Sequence, residues 1–244
     1  MFTIAQNTIR ELIRNKFFSL ILFLGVIFIL ISLALESLAL GAFERVLYDF
    51  GLSFIELTGL SVILFLGGGM IAREIEGRTI FLMLSKPIAR SSIFLGKFLG
   101  FALVVLLMLA FQTAVLLAIF FFRDIPLDYL FVPAVAGILL KLFSLLAVIL
   151  FFSSFTSPLV AMFLTISSYM IGHSGYMMLE YAGWNHNPTL ALLGRAILSL
   201  FPNLESLNLK NYVATDAPID LVNYWTTYGV DIGYVVVLLF LGAL

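Results

Sequence analysis

Long uninterrupted apolar stretches constrain this chain more than any other feature of its sequence. A helix needs about 20 predominantly apolar residues to cross a hydrocarbon core of about 30 Å. Of the 244 residues, 62% are apolar and 11% are charged, whereas an ordinary soluble domain carries roughly 25% charged residues. A soluble fold of this size cannot bury so much apolar surface. The composition therefore excludes a soluble globular protein, and equally a disordered or a collagen-like one.

Six segments are long enough, or nearly long enough, to form membrane-spanning helices. They are residues 17–36, 52–72, 97–121, 132–152, 159–179 and 229–244. The last segment reaches only about 24 Å at about 1.5 Å per residue. We expect either that this helix leans on its partners or that the chain continues past Leu244. The pattern predicts an all-α integral membrane protein with six transmembrane helices in a single domain, residues 1–244.

Two polar segments flank these spans. Residues 3–16 place apolar side chains on one helical stripe and basic or amide side chains opposite, which is typical of a helix in the cytoplasmic headgroup layer; a simple anchor is the alternative. Residues 180–228 form the longest polar stretch and are predicted to be an outer loop. Asn187 as N-cap and Pro188 at the first helical position predict a helix there, which Pro202 ends. The aromatic residues of an interfacial belt would be Tyr181, Trp184, Tyr224, Trp225 and Tyr228.

Lys and Arg are distributed unequally between the two predicted sides of the membrane. With a cytoplasmic N-terminus, eight of the 13 lie inside, four lie outside and Lys141 lies within a span. The inside residues are Arg10, Arg14, Lys16, Arg73, Arg78, Lys86, Arg90 and Lys97. Because basic residues favour the cytoplasmic side, we predict that both termini are cytoplasmic. The net charge of −1 gives no support for nucleic-acid binding.

Residues 73–96 form the charge-dense segment of the chain and lie on the predicted cytoplasmic side. Acidic and basic side chains cluster at its start, and the apolar run 80–84 follows. Pro87 then interrupts any helix, since it lacks a backbone donor and restricts the residue before it. This order favours a helix lying flat under the membrane and a turn into the next span. An ordinary solvated loop is the alternative.

This segment resembles the hallmark stretch of type 2 ABC transporter permeases. The matching elements are E-x-E-G-x-T at Glu74–Thr79, L-x-L-S-x-P at Leu82–Pro87, Arg90 and Gly96-Lys97. The amphipathic start, the six spans and the long outer loop also fit the family plan, so the resemblance covers nearly the whole chain. It is nearest to the small permeases that include the subunit of the nitrous-oxide-reductase maturation exporter.

The resemblance implies a division of labour with a separate ATPase. Segment 73–96 would be the coupling element that docks on a cytoplasmic ABC ATPase, present in two copies, which binds the ATP and Mg²⁺. The implied coupling residues are Arg73, Glu74, Glu76, Gly77, Arg78, Thr79, Leu82, Leu84, Ser85, Pro87 and Arg90. A second permease copy, in a homodimer or a heterodimer, would complete the pathway. An amphipathic or lipid-like cargo would leave through a bacterial or archaeal plasma membrane, and the outer helix before the last span would re-enter the lipid.

The sequence offers no catalytic or metal-binding motif. A phosphate-cradling G-x-x-x-x-G-K-[ST] is absent, there is no cysteine, and His173 and His186 lack ligand-spaced companions. We therefore expect no cofactor, no metal and no enzymatic activity in this chain. Two other functions stay open. One is a mechanotransmission subunit that acts on a periplasmic partner without moving cargo; the other, less favoured, is an intramembrane enzyme.

Lys141 lies deep within a predicted span. It lies eight residues after Pro133, about 12 Å along a helix that begins there. A charge at such depth is costly, and such residues usually face a bundle interior or a wet cavity. Lys141 is therefore a candidate translocation-path charge, with Glu56 and Glu36 as candidate partners. The alternative is a side chain that snorkels to the interface or has a purely structural partner.

The predicted orientation can be tested by labelling, since the native chain has no cysteine. We expect Ser91→Cys to be shielded from impermeant thiol reagents in intact cells, because Ser91 lies on the predicted cytoplasmic side. Asn211→Cys, on the predicted outer side, should be labelled. Labelling of Ser91→Cys without labelling of Asn211→Cys would contradict the predicted orientation.

Overall fold

The computed structural model describes residues 2–36, 43–70, 90–184, 188–213 and 221–243, and their regular structure is entirely helical. The helices are α1 Phe2–Ile13, α2 Lys16–Glu36, α3 Phe43–Val62, α4 Arg90–Phe122, α5 Phe131–Ser153, α6 Pro158–Trp184, α7 Pro188–Leu200 and α8 Leu221–Ala243. A π-helical turn, Ile63–Gly67, extends α3, and a short 3₁₀ turn, Leu209–Tyr212, precedes α8. The predicted all-α class is confirmed.

Four helical stretches of the described residues are long and apolar enough to cross a membrane. They are Glu44–Gly67, Ser91–Phe122, Phe131–Ser153 and Trp225–Ala243. A fifth is added if Phe2–Ile13 and Lys16–Ser32, which meet at a bend of 64°, are counted as one span. Helix α6 contains the predicted span 159–179 but is not among these stretches. The count of six spans therefore stays a prediction.

Helix α3 begins nine residues before the predicted span 52–72. The added residues are partly charged, and Arg45 Nε lies 3.8 Å from Asp49 Oδ2, one helical turn away. Pairs at this spacing support a helix where it leaves the apolar region. Hydropathy marks the part of a helix that lies in lipid, so it places the start of α3 too late.

Side-chain hydrogen bonds tie the helix ends together at both ends of the bundle. The Tyr48 hydroxyl donates to the carbonyl of Pro126 over 2.8 Å and accepts from the Asp128 amide over 3.1 Å. These bonds place the start of α3 beside the α4–α5 connection. At the opposite end, Ser153 Oγ donates to the Gly68 carbonyl over 3.0 Å. Helices α3, α4 and α5 therefore alternate in direction through the bundle.

Helix α5 is the central helix of the described bundle, because α3, α4, α6 and α8 all pack against it. Its buried residues lie on nearly all sides and include Leu142, Leu145, Leu146 and Ile149. A helix that is apolar all round belongs in an interior. Any polar group on α5 must therefore find its partner inside the protein.

Helix α1 crosses α4 at a close approach that glycine permits. A Cβ at Gly100 would lie 2.6 Å from the Ala5 carbonyl oxygen and 3.0 Å from Ala5 Cα. Thr8 and Leu12 on the same face of α1 are buried, whereas Arg10 and Glu11 are exposed. Small residues let helix backbones approach in this way, so Gly100 holds α1 against the bundle.

We expect Gly100→Ala to destabilise the protein, because the added methyl group meets backbone atoms that cannot rotate away. Overpacking of this kind costs about 1–3 kcal/mol, and 1 kcal/mol lowers the melting temperature by about 2–4 °C in a chain of this size. Thermal unfolding in detergent measures the effect. Gly233→Ala is the matched control, since nothing lies within 4 Å of the added Cβ. Equal melting temperatures of the two variants would show that α1 does not depend on this contact.

Candidate functional site: a buried ionic network

The segment 201–213, which follows α7, enters the helix bundle. A Cβ at Gly172 on α6 would lie 2.6 Å from the Pro202 carbonyl oxygen, and a Cβ at Gly137 on α5 would collide with the Leu207 carbonyl oxygen. Leu204 and Leu207 are fully buried. Two glycines thus open space for a non-helical backbone, and leucine burial holds the segment there.

A buried carboxylate, Glu56 on α3, lies where this segment meets the helices. Lys141 Nζ on α5 donates to Glu56 Oε1 over 3.1 Å, and Lys210 Nζ donates to Oε2 over 2.6 Å. The Tyr169 hydroxyl on α6 donates to Oε1 over 3.3 Å. Side chains from α5, from α6 and from the 201–213 segment therefore converge on one carboxylate of α3.

A second carboxylate, Glu205, extends this network within the segment. Glu205 Oε2 lies 2.6 Å from His173 Nδ1 on α6. Asn208 donates to both oxygens of Glu205, over 3.2 and 3.3 Å, and its own Oδ1 accepts from Lys141 Nζ over 3.0 Å. His173 Nε2 in turn lies 3.8 Å from Glu56 Oε1. We call these seven side chains the ionic network: Glu56, Lys141, Tyr169, His173, Glu205, Asn208 and Lys210.

The charges of the ionic network balance. Two carboxylates face two lysine ammonium groups, so the network is neutral when His173 is neutral. Lys141 is 0% exposed and is the eleventh residue of α5, about 15 Å from the start of that helix. Desolvation of buried charges is expensive, and it is tolerable only when the pairing and the hydrogen bonds are complete. The network meets this condition for Lys141, which has both a carboxylate and an amide oxygen as acceptors.

Glu205 lies in the segment outside the spanning stretches, and its surroundings keep it ionised. Burial alone raises the pKa of this carboxyl. The hydrogen bonds from His173 and Asn208, together with the charges of His173 and Lys141, outweigh burial, so the net pKa of Glu205 lies below the ordinary glutamate value. The carboxylate is therefore charged at neutral pH.

The ionic network is better suited to holding helices in fixed relative positions than to binding a metal ion or catalysing a reaction. Both oxygens of Glu56 already accept from ammonium groups, in the positions that a bound cation would take. Among the described residues, no group of three or more His, Cys, Asp or Glu side chains is arranged to hold a metal ion. What the geometry can do is hold three helices and one connecting segment in a single register.

The Lys141 side chain is buried rather than snorkelling to the interface, and its carboxylate partner is Glu56, one of the two candidates from the sequence. The other candidate, Glu36, has a side chain outside the described part of the chain. A role of Lys141 as a translocation-path charge stays a prediction. Sequence reasoning missed the remaining members of the network. A signal was present in the spacing: Tyr169 and His173 are four residues apart on α6, which places both on one face.

Nearly all of the predicted coupling residues lie in a part of the chain that the structure does not describe. Arg73, Glu74, Glu76, Gly77, Arg78, Thr79, Leu82, Leu84, Ser85 and Pro87 lie outside the described residues. Arg90 is described only as the first residue of α4. The coupling segment 73–96 thus stays a prediction: its last seven residues, 90–96, form the start of helix α4, and residues 73–89 lie outside the described part of the chain.

The described part of the chain is helical and contains several apolar helices long enough to cross a bilayer, with the ionic network buried among them. The chain is therefore a multi-pass membrane protein. Comparison with protein families gives the family. The family model described as ABC-2 family transporter protein matches residues 32–243. This is most of the 244 residues, and the chain belongs to this family. A search of curated proteins found no match.

Family membership defines the general role of the chain. It is the membrane component of an ABC transporter rather than the ATPase, and it works with an ATPase subunit. Members typically dimerise. The type 2 ABC permease family inferred from the motif of residues 74–97 is therefore confirmed by a match that extends over nearly the whole chain.

A double-mutant cycle tests whether Lys141 and Glu56 act as a pair. Lys141→Met should destabilise the protein, because Glu56 keeps Lys210 but loses half of its charge compensation in a low-dielectric site. Breaking a buried pair costs about 3–5 kcal/mol, and the remaining lysine should hold the cost near the lower end. In a Glu56→Gln background the same substitution should cost less, since no carboxylate is then left unmatched. Unfolding free energies in detergent measure both steps; an equal cost in both backgrounds would show that the two residues are not coupled.

Proposed function

We propose that the chain exports an amphipathic or lipid-like cargo by converting ATPase movement into movement of the 201–213 segment. The ionic network is the observation that carries this proposal. Helix α3 leads into the coupling segment at one end and carries Glu56 near its middle. Glu56 binds Lys210 of the 201–213 segment and Lys141 of α5. A displacement of α3 therefore acts on the segment through charged contacts rather than through sliding apolar surfaces.

The charged contacts make the movement discrete. A buried carboxylate cannot leave its lysines gradually, because each unpaired intermediate places a bare charge in a low-dielectric interior. Packed elements of this kind move between defined arrangements, not through a continuum. ATP binding closes the ATPase pair, the coupling segment 73–96 shifts α3, and the 201–213 segment moves with it.

The remaining parts of the proposal concern assembly and location. Two ATPase copies and two permease copies, as a homodimer or a heterodimer, make one transporter in the plasma membrane of a bacterium or archaeon. Both termini are cytoplasmic, which is supported by the excess of Lys and Arg on that side. Lipid surrounds the apolar faces of the helices.

Reversing two charges in the coupling segment tests the docking step. Glu74→Lys combined with Glu76→Lys should reduce co-purification of the ATPase and its stimulated hydrolysis, because juxtaposed like charges cost several kcal/mol at an interface. Membrane insertion should persist. Glu44→Lys, a reversal in the first turn of α3 and far from the coupling segment, should assemble normally. Normal assembly and normal transport of the double variant would contradict docking through this segment.

Reconstituted vesicles test export itself. The complex should move a fluorescent amphiphile across the bilayer in an ATP-dependent manner. The mechanotransmission alternative predicts a different result: hydrolysis would respond to a periplasmic protein, and no amphiphile would move. That outcome would replace export by action on an outer partner.

A further inference from the structure

A small pocket lies on the other side of the 201–213 segment, where the segment faces α8. Its volume is about 270 Å³, just below the range of about 300–1,000 Å³ typical of small-molecule sites. A head group fits there better than a drug-sized molecule. The polar side chains that line it are those of Asn203, Ser206, Thr226, Thr227, Asp231 and Tyr234.

Asp231 gives this pocket a charge. The residue is 5% exposed, and its Oδ2 accepts a hydrogen bond from Ser144 Oγ on α5 over 2.7 Å. Its other oxygen, Oδ1, is buried and has no hydrogen-bond partner among the described residues. The described residues also form no ion pair with this carboxylate. Buried polar atoms are nearly always paired, and Asp231 is one of the residues that line the pocket, so its incompletely paired carboxylate points to a ligand that supplies a positive charge.

The surroundings of Asp231 suit an organic cation. The ring of Tyr234 lies one helical turn away on α8 and lines the same pocket, and aromatic faces attract ammonium groups. Asp231 lies six residues after Trp225, about 9 Å along the helix. If Trp225 marks the interface, as the predicted belt implies, the carboxylate lies near the boundary between head groups and acyl chains.

An apolar stripe leads away from the pocket along α8. Val230 lines the pocket and is 74% exposed, and Val237 and Leu241 are exposed further along. With Tyr234 they are spaced by four, three and four residues, which places them on one face of the helix. A polar, acidic pocket that continues into an apolar stripe matches a molecule with a cationic head and a hydrocarbon chain.

We propose that this pocket binds the ammonium head group of an amphiphile. The Asp231 carboxylate is the counter-charge, the Tyr234 ring borders the head group, and the chain lies along the stripe of Val230, Val237 and Leu241. The proposal specifies a ligand class that the family assignment does not give. It stands on the geometry of the pocket and needs neither the coupling segment nor ATP.

Binding of radiolabelled dodecyltrimethylammonium to the purified full chain in dodecyl maltoside tests this proposal. Wild type should bind the probe saturably. Asp231→Asn, which keeps an acceptor for Ser144 but removes the charge, should bind at least about tenfold more weakly, equivalent to about 1.4 kcal/mol. Asp124→Asn is the matched control and should bind as wild type does. It removes an exposed carboxylate at a turn with φ of 52°, a conformation that Asn adopts readily.

Further binding measurements define the chemistry of the ligand and separate loss of charge from loss of local structure. Ser144→Ala keeps the charged carboxylate and should retain binding within about threefold of wild type, which shows that Asp231→Asn does not act through loss of local structure. Dodecanol should not displace the probe, and choline at equal concentration should not displace it either. Equal affinity in Asp231→Asn, loss of binding in Ser144→Ala, or displacement by dodecanol would overturn the role of the charge. Displacement by choline would overturn the requirement for a chain. Because no ATPase is used, failure here leaves the export proposal standing, and failure of export leaves this site standing.

Discussion

The relative positions of three parts of the chain depend on one buried carboxylate, which requires cationic partners. Glu56 lies inside an apolar bundle, where an unpaired charge is strongly unfavourable. Its two oxygens are satisfied by lysines from different parts of the chain, Lys141 on the central helix and Lys210 in the connecting segment. The position of each element is thereby fixed relative to the other two. Apolar packing alone would tolerate small slips of one helix along another, whereas this charge arrangement tolerates few.

The network also explains why a non-helical segment can lie inside an apolar bundle. Backbone groups that are not hydrogen-bonded within a helix are tolerated at membrane depth only where protein or water surrounds them. The 201–213 segment satisfies part of this requirement through its own short 3₁₀ turn, Leu209–Tyr212. Close contact with α5 and α6, made possible by Gly137 and Gly172, provides the rest of its protein surroundings. One face of the segment thus carries the ionic network, and the other borders the pocket at Asp231.

The sequence predicted the features that depend on local periodicity and on the bilayer. The helical class and the helix that begins at Pro188 follow from apolar length and from the Asn-Pro helix-start signal. The cost of a charge in lipid makes Glu56 one of two candidate partners of Lys141, with a snorkelling side chain as the alternative. The rest of the network joins residues that are distant in sequence. Lys210 and Glu56 are 154 residues apart, and nothing in local composition distinguishes Lys210 from an ordinary outer-loop lysine. The sequence offers His173 only as a candidate metal ligand, and its contact with Glu205 depends on a fold that brings residues 32 positions apart together.

The same spacing imposes an order on the synthesis of the protein. Glu56 is synthesised first, and Lys141, 85 residues later, is the first of its two lysine partners to follow. Lys210 follows after a further 69 residues. Helices α3 and α5 can therefore pair as a neutral unit while the ribosome is still making the rest of the chain. The 201–213 segment is made later, and its Lys210 then binds a Glu56–Lys141 pair that has already formed.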